Sequence, residues 1–455
     1  MRVLLVSTYE LGHQPLHLAS PAARLIQEGH TVECLDLAVE EWDESRFQRA
    51  EAVAFSVPMH TAMRLAVQAA ARLRTDRPDI PIAFYGLYAA VGVDRTVGRL
   101  ADRLIVGEYE DELLSWVAGL GSASAEVDEG NVRVDLGRKA FLPPARHLLP
   151  GLENYARLEI HGETRLAGYV EASHGCRHRC RHCPIPAIYD GRYRVTGLDN
   201  VMADITALVG LGARHVTFGD PDFLNAPRYA MDVLRAVNDA FPSLTFDLTV
   251  KVEHILEHQD LWHEAARRNV VFVVSAFETT NDRVLGVLDK GHTALEMAEA
   301  ARVIRQAGIQ ARPSWMPFTP LTEPGDVGDI FDFLVELDLL AAVDPVQLSI
   351  RLLIPDGSLI LTSEMAPFVG DYDADALTYR WIAKDPRVDE LQASLALIAE
   401  KGGTDQRDTI NEMWSIVRPG AVALRWTEAH PTRLTESWFC CAEPTTRQLL
   451  RIGPG

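Results

Sequence analysis

Leu166-Ala167-Gly168-Tyr169-Val170-Glu171-Ala172 reads as a strand, and directly after it comes Ser173-His174-Gly175-Cys176-Arg177-His178-Arg179-Cys180-Arg181-His182-Cys183-Pro184, which spaces three cysteines C-x3-C-x2-C. A cubane iron–sulfur cluster has four irons to ligate, and this loop offers three thiolates. A cluster so held keeps one iron open for a substrate or cofactor, as an open coordination position separates catalytic from structural zinc. Structural zinc is the competing reading. It wants four N/S ligands, and His174, His178 or His182 would complete a Cys3His set, but no second cysteine pair lies nearby and the compact loop stays unexplained. Three cysteines in one loop also cannot pair as disulfides without a leftover.

Outward from this loop the chain alternates. Strand-like runs recur at Leu166–Ala172, His215–Phe218, Thr245–Val250, Val270–Ala276, Ile309–Ser314 and Val346–Leu352, with helical patterns at Asn200–Leu211, Tyr229–Ala240, His254–Arg268, Thr293–Gln306 and Asp326–Leu340. Six such units predict a partial (β/α)6 barrel over residues 164–370, whose chemistry belongs on loops at the carboxyl ends of its strands. The cysteines follow the first strand. Upstream, runs at Arg2–Ser7, Thr31–Leu37, Ala52–Val57, Ile80–Tyr85 and Arg103–Val106 alternate with helical stretches at Leu16–Glu28, Thr61–Leu73 and Glu110–Leu120. They predict a doubly wound parallel sheet over 1–122, without the G-x-G-x-x-G of a dinucleotide site. Residues 123–163 read as a connector, acidic and turn-rich near Glu126–Asn131. Residues 371–455 read as a small, mostly helical extension, with helices at Asp389–Lys401 and Thr409–Val417.

The bulk composition sets outer limits. At 455 residues the chain predicts two or three domains, and 47% hydrophobic and 24% charged residues are ordinary for a soluble globular protein. A formal charge of −20 repels a phosphate backbone, so nucleic acid is not an expected partner. Five of the six cysteines, Cys34, Cys176, Cys180, Cys183, Cys440 and Cys441, cluster, which favours chemistry over a disulfide framework. No run reaches the ~18 apolar residues of a membrane span, and the first strand lacks the apolar length of a signal peptide. A cytoplasmic protein with no membrane partner is expected.

The loop and its place resemble the radical S-adenosylmethionine superfamily, whose hallmark is C-x3-C-x2-C after the first strand of a partial barrel. The resemblance implies a [4Fe–4S] cluster on Cys176, Cys180 and Cys183, with an open iron that chelates S-adenosylmethionine. It also implies an electron donor such as flavodoxin or ferredoxin, and a radical, commonly 5′-deoxyadenosyl, made by reductive cleavage of the sulfonium. His182 takes the place of the residue that packs on the adenine. Gly219-Asp220-Pro221-Asp222 follows the second strand where the family has a Gly-Gly-Glu-like segment for the methionyl amine; it departs from that pattern, and turn chemistry also selects Asp-Pro-Asp. Lys251 and Glu253, Ser275 and Glu278, and Arg312 and Ser314 end the next three strands, where ribose and carboxylate contacts fall.

Residues 1–120 resemble the cobalamin-binding-type domain that precedes many such barrels. Gly12-His13-Gln14-Pro15-Leu16, Gly29-His30-Thr31-Val32 and Gly107-Glu108-Tyr109-Glu110 match its turns, but the Asp-x-His-x-x-Gly element that supplies an axial histidine is absent, so cobalamin is left open and His13, His17 and His60 are spare candidates. The tail, Cys440-Cys441-Ala442-Glu443-Pro444, resembles a smaller group of these enzymes ending in this motif, or with selenocysteine in it. Two adjacent thiolates suit a soft acceptor such as trivalent arsenic, with Cys34 or a free thiol as a third ligand. Packing beside Trp438 and Phe439, or a vicinal disulfide, are the alternatives. The expected activity is therefore transfer of a methyl or 3-amino-3-carboxypropyl group from S-adenosylmethionine to a small-molecule or metalloid acceptor at Cys440 and Cys441. A cobalamin-dependent methylase or rearrangement enzyme acting on a carbon centre of a natural-product precursor is the second expectation, and a non-enzymatic metalloid- or metal-binding module the third.

Overall fold

The computed structural model describes residues 1–92, 99–120, 132–137, 140–401, 405–426, 432–436 and 443–452. Strands β1 (Arg2–Ser7), β2 (Thr31–Asp36), β3 (Ala52–Ser56), β4 (Ile82–Tyr85), β5 (Arg103–Gly107) and β6 (Val132–Asp135) form a parallel sheet in the order β2-β1-β3-β4-β5-β6. Helices α1 (Leu16–Gln27), α2 (Glu44–Arg49), α3 (His60–Asp76) and α4 (Glu110–Leu120) connect them. Period-2 alternation divides the strands between two apolar cores. Leu4, Val6, Val53, Phe55 and Phe84 pack with Ala62, Ala66 and Ala70 of α3, while Val3, Leu5, Ala54 and Ile105 pack with Leu18, Ala22 and Leu113 of α1 and α4. The strand order reverses between β1 and β3, which opens a crevice beyond their carboxyl ends. β6 lies inside the stretch expected to be a connector, and its parallel pairing with β5 extends the sheet.

A second sheet starts with a hairpin of β7 (Arg157–Ile160) and β8 (Glu163–Val170), whose turn residues His161 and Gly162 both have positive φ, 49° and 79°, as a primed two-residue turn requires. Beyond it come β9 (Ser173–Gly175), α5 (Pro184–Tyr189), β10 (Tyr193–Val195), α6 (Leu198–Gly210), β11 (His215–Phe218), α7 (Pro227–Ala240), β12 (Thr245–Thr249), α8 (Val252–Glu257), α9 (Trp262–Arg267), β13 (Val270–Glu278), α10 (Asp282–Val287), α11 (Ala294–Gln306), β14 (Gln310–Trp315) and α12 (Pro324–Glu336). β8, β11, β12, β13 and β14 run parallel and curl into a half-barrel with the helices outside. The sixth strand-like run, Val346–Leu352, instead folds as a 3-10 turn over Pro345–Ser349, and only a single parallel bridge, Phe318 to Arg351, stands in the sixth position. Leu348 and Leu352 are buried all the same, because a short apolar run satisfies a core equally well as a turn or a strand.

After an unexpected hairpin, β15 (Val369–Asp373) and β16 (Thr378–Trp381), the extension is helical: α13 (Pro386–Lys401) and α14 (Gln406–Val417). It then reaches back to both sheets. β17 (Arg433–Leu434) adds antiparallel to β7, and α15 (Thr446–Ile452) places Ile452 in the core beneath α3. Between the sheets lies Arg146, 2% exposed: it holds Asp204 of α6 bidentately at 2.8 and 2.9 Å and donates to the Tyr169 carbonyl of β8 at 2.6 Å. Among the described residues no helix is long and apolar enough to cross a membrane.

Candidate functional site

The carboxyl ends of the two sheets enclose one cavity of about 350 Å³. The first sheet contributes Met59, Leu87 and Tyr88 from its loops; the second contributes the cysteine loop and the inward residues Thr217, Asp247, Thr249 and Arg312.

Three neighbours fix the cysteine loop. β9 pairs antiparallel with β10, the Arg177 amide donates to Asn225 Oδ1 at 3.1 Å, and Arg181 donates its amide to the Leu288 carbonyl and its guanidinium to that of Val287, each at 2.8 Å. Gly175, at φ +77°, lets the chain turn into Cys176, since a Cβ there would stand 2.5 Å from the Arg192 carbonyl. The Cys183 amide closes a turn on the Cys180 carbonyl at 3.2 Å, and Pro184 starts α5 at a position that needs no amide donor. Cys176, Cys180 and Cys183 form no disulfide and stand on the wall of one cavity. Burial pushes the Cys176 thiol up to about 12, so a thiolate there needs a cation beside it. Buried Lys290 faces Cys180 and Cys183 electrostatically. Three thiols on one cavity wall, with a buried cation facing two of them, fit a [4Fe–4S] cluster.

Glu278 organises the side chains behind this loop. It sits at a register shift in β13 with φ +67°, a strained backbone for a non-glycine residue, and its carboxylate faces His182 Nε2 and Lys290 Nζ, both at 3.1 Å. Burial alone would raise its pKa; Lys290 and His182 hold it well below the carboxylate range. Gly219 belongs to the wall because nothing larger fits: an added Cβ would lie 2.0 Å from the Tyr169 ring. Asp220 uses both oxygens within the fold, accepting from Ser173 Oγ at 2.6 Å and from the Ala172 amide at 2.9 Å, and burial pushes it up to about 7. Asp222 caps a 3-10 turn through the Leu224 amide. Lys251 lies 3.2 Å from His178 Nδ1 and pairs with Glu253. Arg312 donates to Asp344 at 3.3 Å and to the Thr432 carbonyl at 3.1 Å, and Ser314 lies beside it on the wall.

Ser275 is not brought into the cavity. Val274 and Ala276 face inward, so strand alternation turns Ser275 toward the helices, where its hydroxyl is buried without a partner. Cys34 is also absent from the cavity wall, packed in the apolar core of the first sheet and pushed up to about 12 by burial. Of the spare histidines, His60 faces the Ala376 carbonyl at 2.9 Å and does not line the cavity. His13 does, as a neutral imidazole lowered to about 4 by burial, with its ring 4.8 Å from Tyr169. Cys440 and Cys441 lie outside the described residues.

A chain of acids and imidazoles across the interface escaped sequence reasoning. Glu10 meets His17 Nδ1 at 2.9 Å, Glu171 reaches His17 Nε2 at 3.5 Å and His174 Nε2 at 3.3 Å, and Glu108 meets His174 Nδ1 at 3.0 Å. Tyr169 and Tyr189 donate to Glu171 and Glu108 at 2.8 and 3.1 Å. Burial alone would lower both histidines; the carboxylates outweigh it and raise His17 to about 9 and His174 to about 10. His17 and His174 were singled out in the sequence for other roles, as a spare histidine and a candidate zinc ligand, and Glu108 only as part of a turn.

Comparison with known proteins agrees with this geometry. Residues 170–334 match the radical SAM superfamily, so the chain carries a radical SAM domain, and that family works with a [4Fe–4S] cluster and S-adenosylmethionine. A tRNA-2-methylthio-N(6)-dimethylallyladenosine synthase of Chlorobaculum tepidum is 26% identical over 175 residues, covering 37% of this chain and 39% of that relative's length. In fold, the chain is similar to the cobalamin-dependent S-adenosylmethionine radical enzyme OxsB with aqua-cobalamin bound (TM-score 0.67, 13% identity, 91% of this chain and 70% of that one). It is also similar to the radical S-adenosylmethionine methyltransferase TsrM of Kitasatospora setae, with tryptophan and a cofactor analogue bound (TM-score 0.57, 19% identity, 74% and 71%).

Proposed function

We propose that this chain is a radical S-adenosylmethionine transferase that works with cobalamin and moves a methyl group to a small molecule in the shared cavity. One observation carries the reading: a single cavity has the three-thiol loop on one wall and, on the other, the crevice loops of a 2-1-3-4-5 sheet, whose switch point is a cofactor site in such folds. The similarity in fold to cobalamin-dependent enzymes supports it. When bound, the cluster on Cys176, Cys180 and Cys183 supplies an electron at an open iron, and cobalamin supplies a carrier for the methyl group.

The chain's own residues do the rest. Lys290 and His182, both held by Glu278, put positive charge and a flat ring beside the cysteines. Arg312 presents a guanidinium for a carboxylate-bearing ligand, with Asp344 fixing its direction. Met59, Leu87, Tyr88 and Phe272 line the cavity with apolar surface that keeps water from reactive intermediates. The protons on His17 and His174 are held at nitrogens facing carboxylates, so neither imidazole is free to ligate cobalt; of the spare histidines His13, His17 and His60, His13 is the neutral one on the wall. Free thiols and an oxygen-sensitive cluster suit a reducing compartment and a low-potential donor such as flavodoxin or ferredoxin.

Anaerobically reconstituted protein, given S-adenosylmethionine and a reductant with and without cobalamin, tests this through its products. Cobalamin-dependent S-adenosylhomocysteine is the expected result. Methylthioadenosine would move the reaction to aminocarboxypropyl transfer, and a cobalamin spectrum unchanged by the protein would sink the cobalamin part.

A second reading keeps the soft acceptor, with Cys440 and Cys441 presenting trivalent arsenic. Two flanking residues favour it. Glu436 lines the cavity and accepts from Tyr9 at 2.9 Å, and Glu443 pairs with Arg64 of α3. Equal arsenite affinity in the parent and Cys440→Ser/Cys441→Ser would end it.

A further inference from the structure

Beside the cysteine loop, three elements bring three ligand atoms to one point. His178 comes from the loop, Asp222 from the turn after β11, and His254 from α8. Asp222 Oδ2 lies 2.7 Å from His254 Nδ1 and 3.3 Å from His178 Nε2, and the three atoms are all within 4.8 Å of one another. Asp222 and His254 are each 1% exposed, and His178 lines the cavity. Although these separations fall in the hydrogen-bond range, none of the three atoms makes a hydrogen bond with acceptable angles. Asp222 thus stands in ion-pair contact with two imidazoles without well-aligned hydrogen bonds, an arrangement that a partner accepted by all three atoms at once would satisfy.

The donor set names the partner's chemistry. Two imidazoles and one carboxylate suit a divalent transition metal, and fit poorly the all-oxygen preference of calcium or magnesium. The groups behind the ligands agree. The other Asp222 oxygen accepts from the Leu224 amide at 3.1 Å, which fixes the carboxylate, and His178 Nδ1 faces Glu253 Oε2 at 3.4 Å. Lys251 shares that neighbourhood, 3.2 Å from the same nitrogen, and is itself paired with Glu253.

We propose that His178, Asp222 and His254 form a mononuclear site for a divalent transition metal, distinct from the thiolate site and open toward the cavity beside His178. Three protein ligands leave a coordination position free, the arrangement of a site that binds a further small ligand. Because His178 lies between Cys176 and Cys180, an ion here also ties the cysteine loop to β11 and α8.

The test uses full-length protein in a Cys440→Ser/Cys441→Ser background, so that tail thiols take up no metal. After anaerobic cluster reconstitution it is exposed to zinc(II), desalted, and its iron and zinc are measured. One zinc per chain beyond the cluster iron is expected, with zinc retention at least tenfold weaker in Asp222→Asn and His254→Gln at unchanged iron. No zinc in the parent, or equal zinc in both ligand variants, overturns the proposal. Should the ligand variants lose their cluster, cobalt(II) binding to Cys176→Ser/Cys180→Ser/Cys183→Ser decides. Ligand-field bands without thiolate charge transfer, lost on adding Asp222→Asn, support the site; their absence from the triple variant, or survival with Asp222→Asn, overturns it.

Discussion

The two sheets share one βα alternation and differ in what their strands turn inward. The open sheet is apolar on both faces: Leu4 and Val6 of β1 meet one set of helices while Val3 and Leu5 meet the other. In the half-barrel the outer face is apolar, whereas the inner face is mixed, with Phe272 and Val274 beside polar residues. Val216 and Phe218 of β11, and Phe246 and Leu248 of β12, pack under the helices, whereas His215, Thr217, Thr245 and Asp247 point inward and bond to one another, with His215 Nε2 2.8 Å and Thr217 Oγ1 2.7 Å from Asp247. An open sheet can cover both faces with helices. A curled one has an inside too narrow for a helix, and polar side chains there must find partners among themselves or in a ligand. The first sheet therefore lends loops to the cavity, and the second lends both loops and strand interiors.

This contrast can be attacked first where the sheets are joined. Arg146→Ala leaves Asp204 buried with an unpaired charge and should cost about 3–5 kcal/mol, seen as a lower midpoint in chemical denaturation. A loss within experimental error would mean that the sheets are held together without this pair. Gly219→Ala probes the crowded inside of the half-barrel. It forces the Tyr169 ring to move, with about 1–3 kcal/mol of overpacking and weaker S-adenosylmethionine binding by calorimetry. Unchanged binding would show that the Tyr169 wall yields freely.

Smaller in effect is the acid–imidazole chain across the interface. His17 is raised from 6.5 to about 9, so the folded state holds its proton more tightly than the unfolded chain does. Its contribution is full below about pH 6.5 and is lost as pH rises through about 9. The melting temperature should fall by on the order of a few degrees across that window, and His17→Gln should flatten the fall. A variant with the parent's pH profile would remove His17 from the interface. Least of all, Ser275→Ala should leave both the KM for S-adenosylmethionine and stability unchanged within about 0.5 kcal/mol, since it deletes an unpartnered hydroxyl on the helix side. A raised KM would return Ser275 to the cavity.

How far the site was legible follows from the same geometry. The cysteine triad, Gly219, Lys251, Glu278, Arg312 and Ser314 were readable as strand-end or strand residues of a βα series, and all line the cavity. Ser275 was misplaced because strand boundaries say where a residue falls along the barrel but not which way it faces; one residue of register turns Glu278 in and Ser275 out. The missing sixth strand has a related cause, since Leu348 and Leu352 are buried there without needing a ladder. Lys290 and Glu171 carried no motif at all. Their roles come from partners more than ten residues away, Glu278 for the lysine and His17 for the glutamate.

The sequence by itself determined the local matters: the periodicities that make two βα arrays, and the three-thiol loop after a strand, because hydrophobic period and ligand spacing are written along the chain. Tertiary structure alone decided the convergent ones. That both arrays open onto one cavity, that Glu171 links His17 to His174, and that His178, Asp222 and His254 meet at one point depends on chain segments far apart in sequence, brought together by burial of the apolar faces they share.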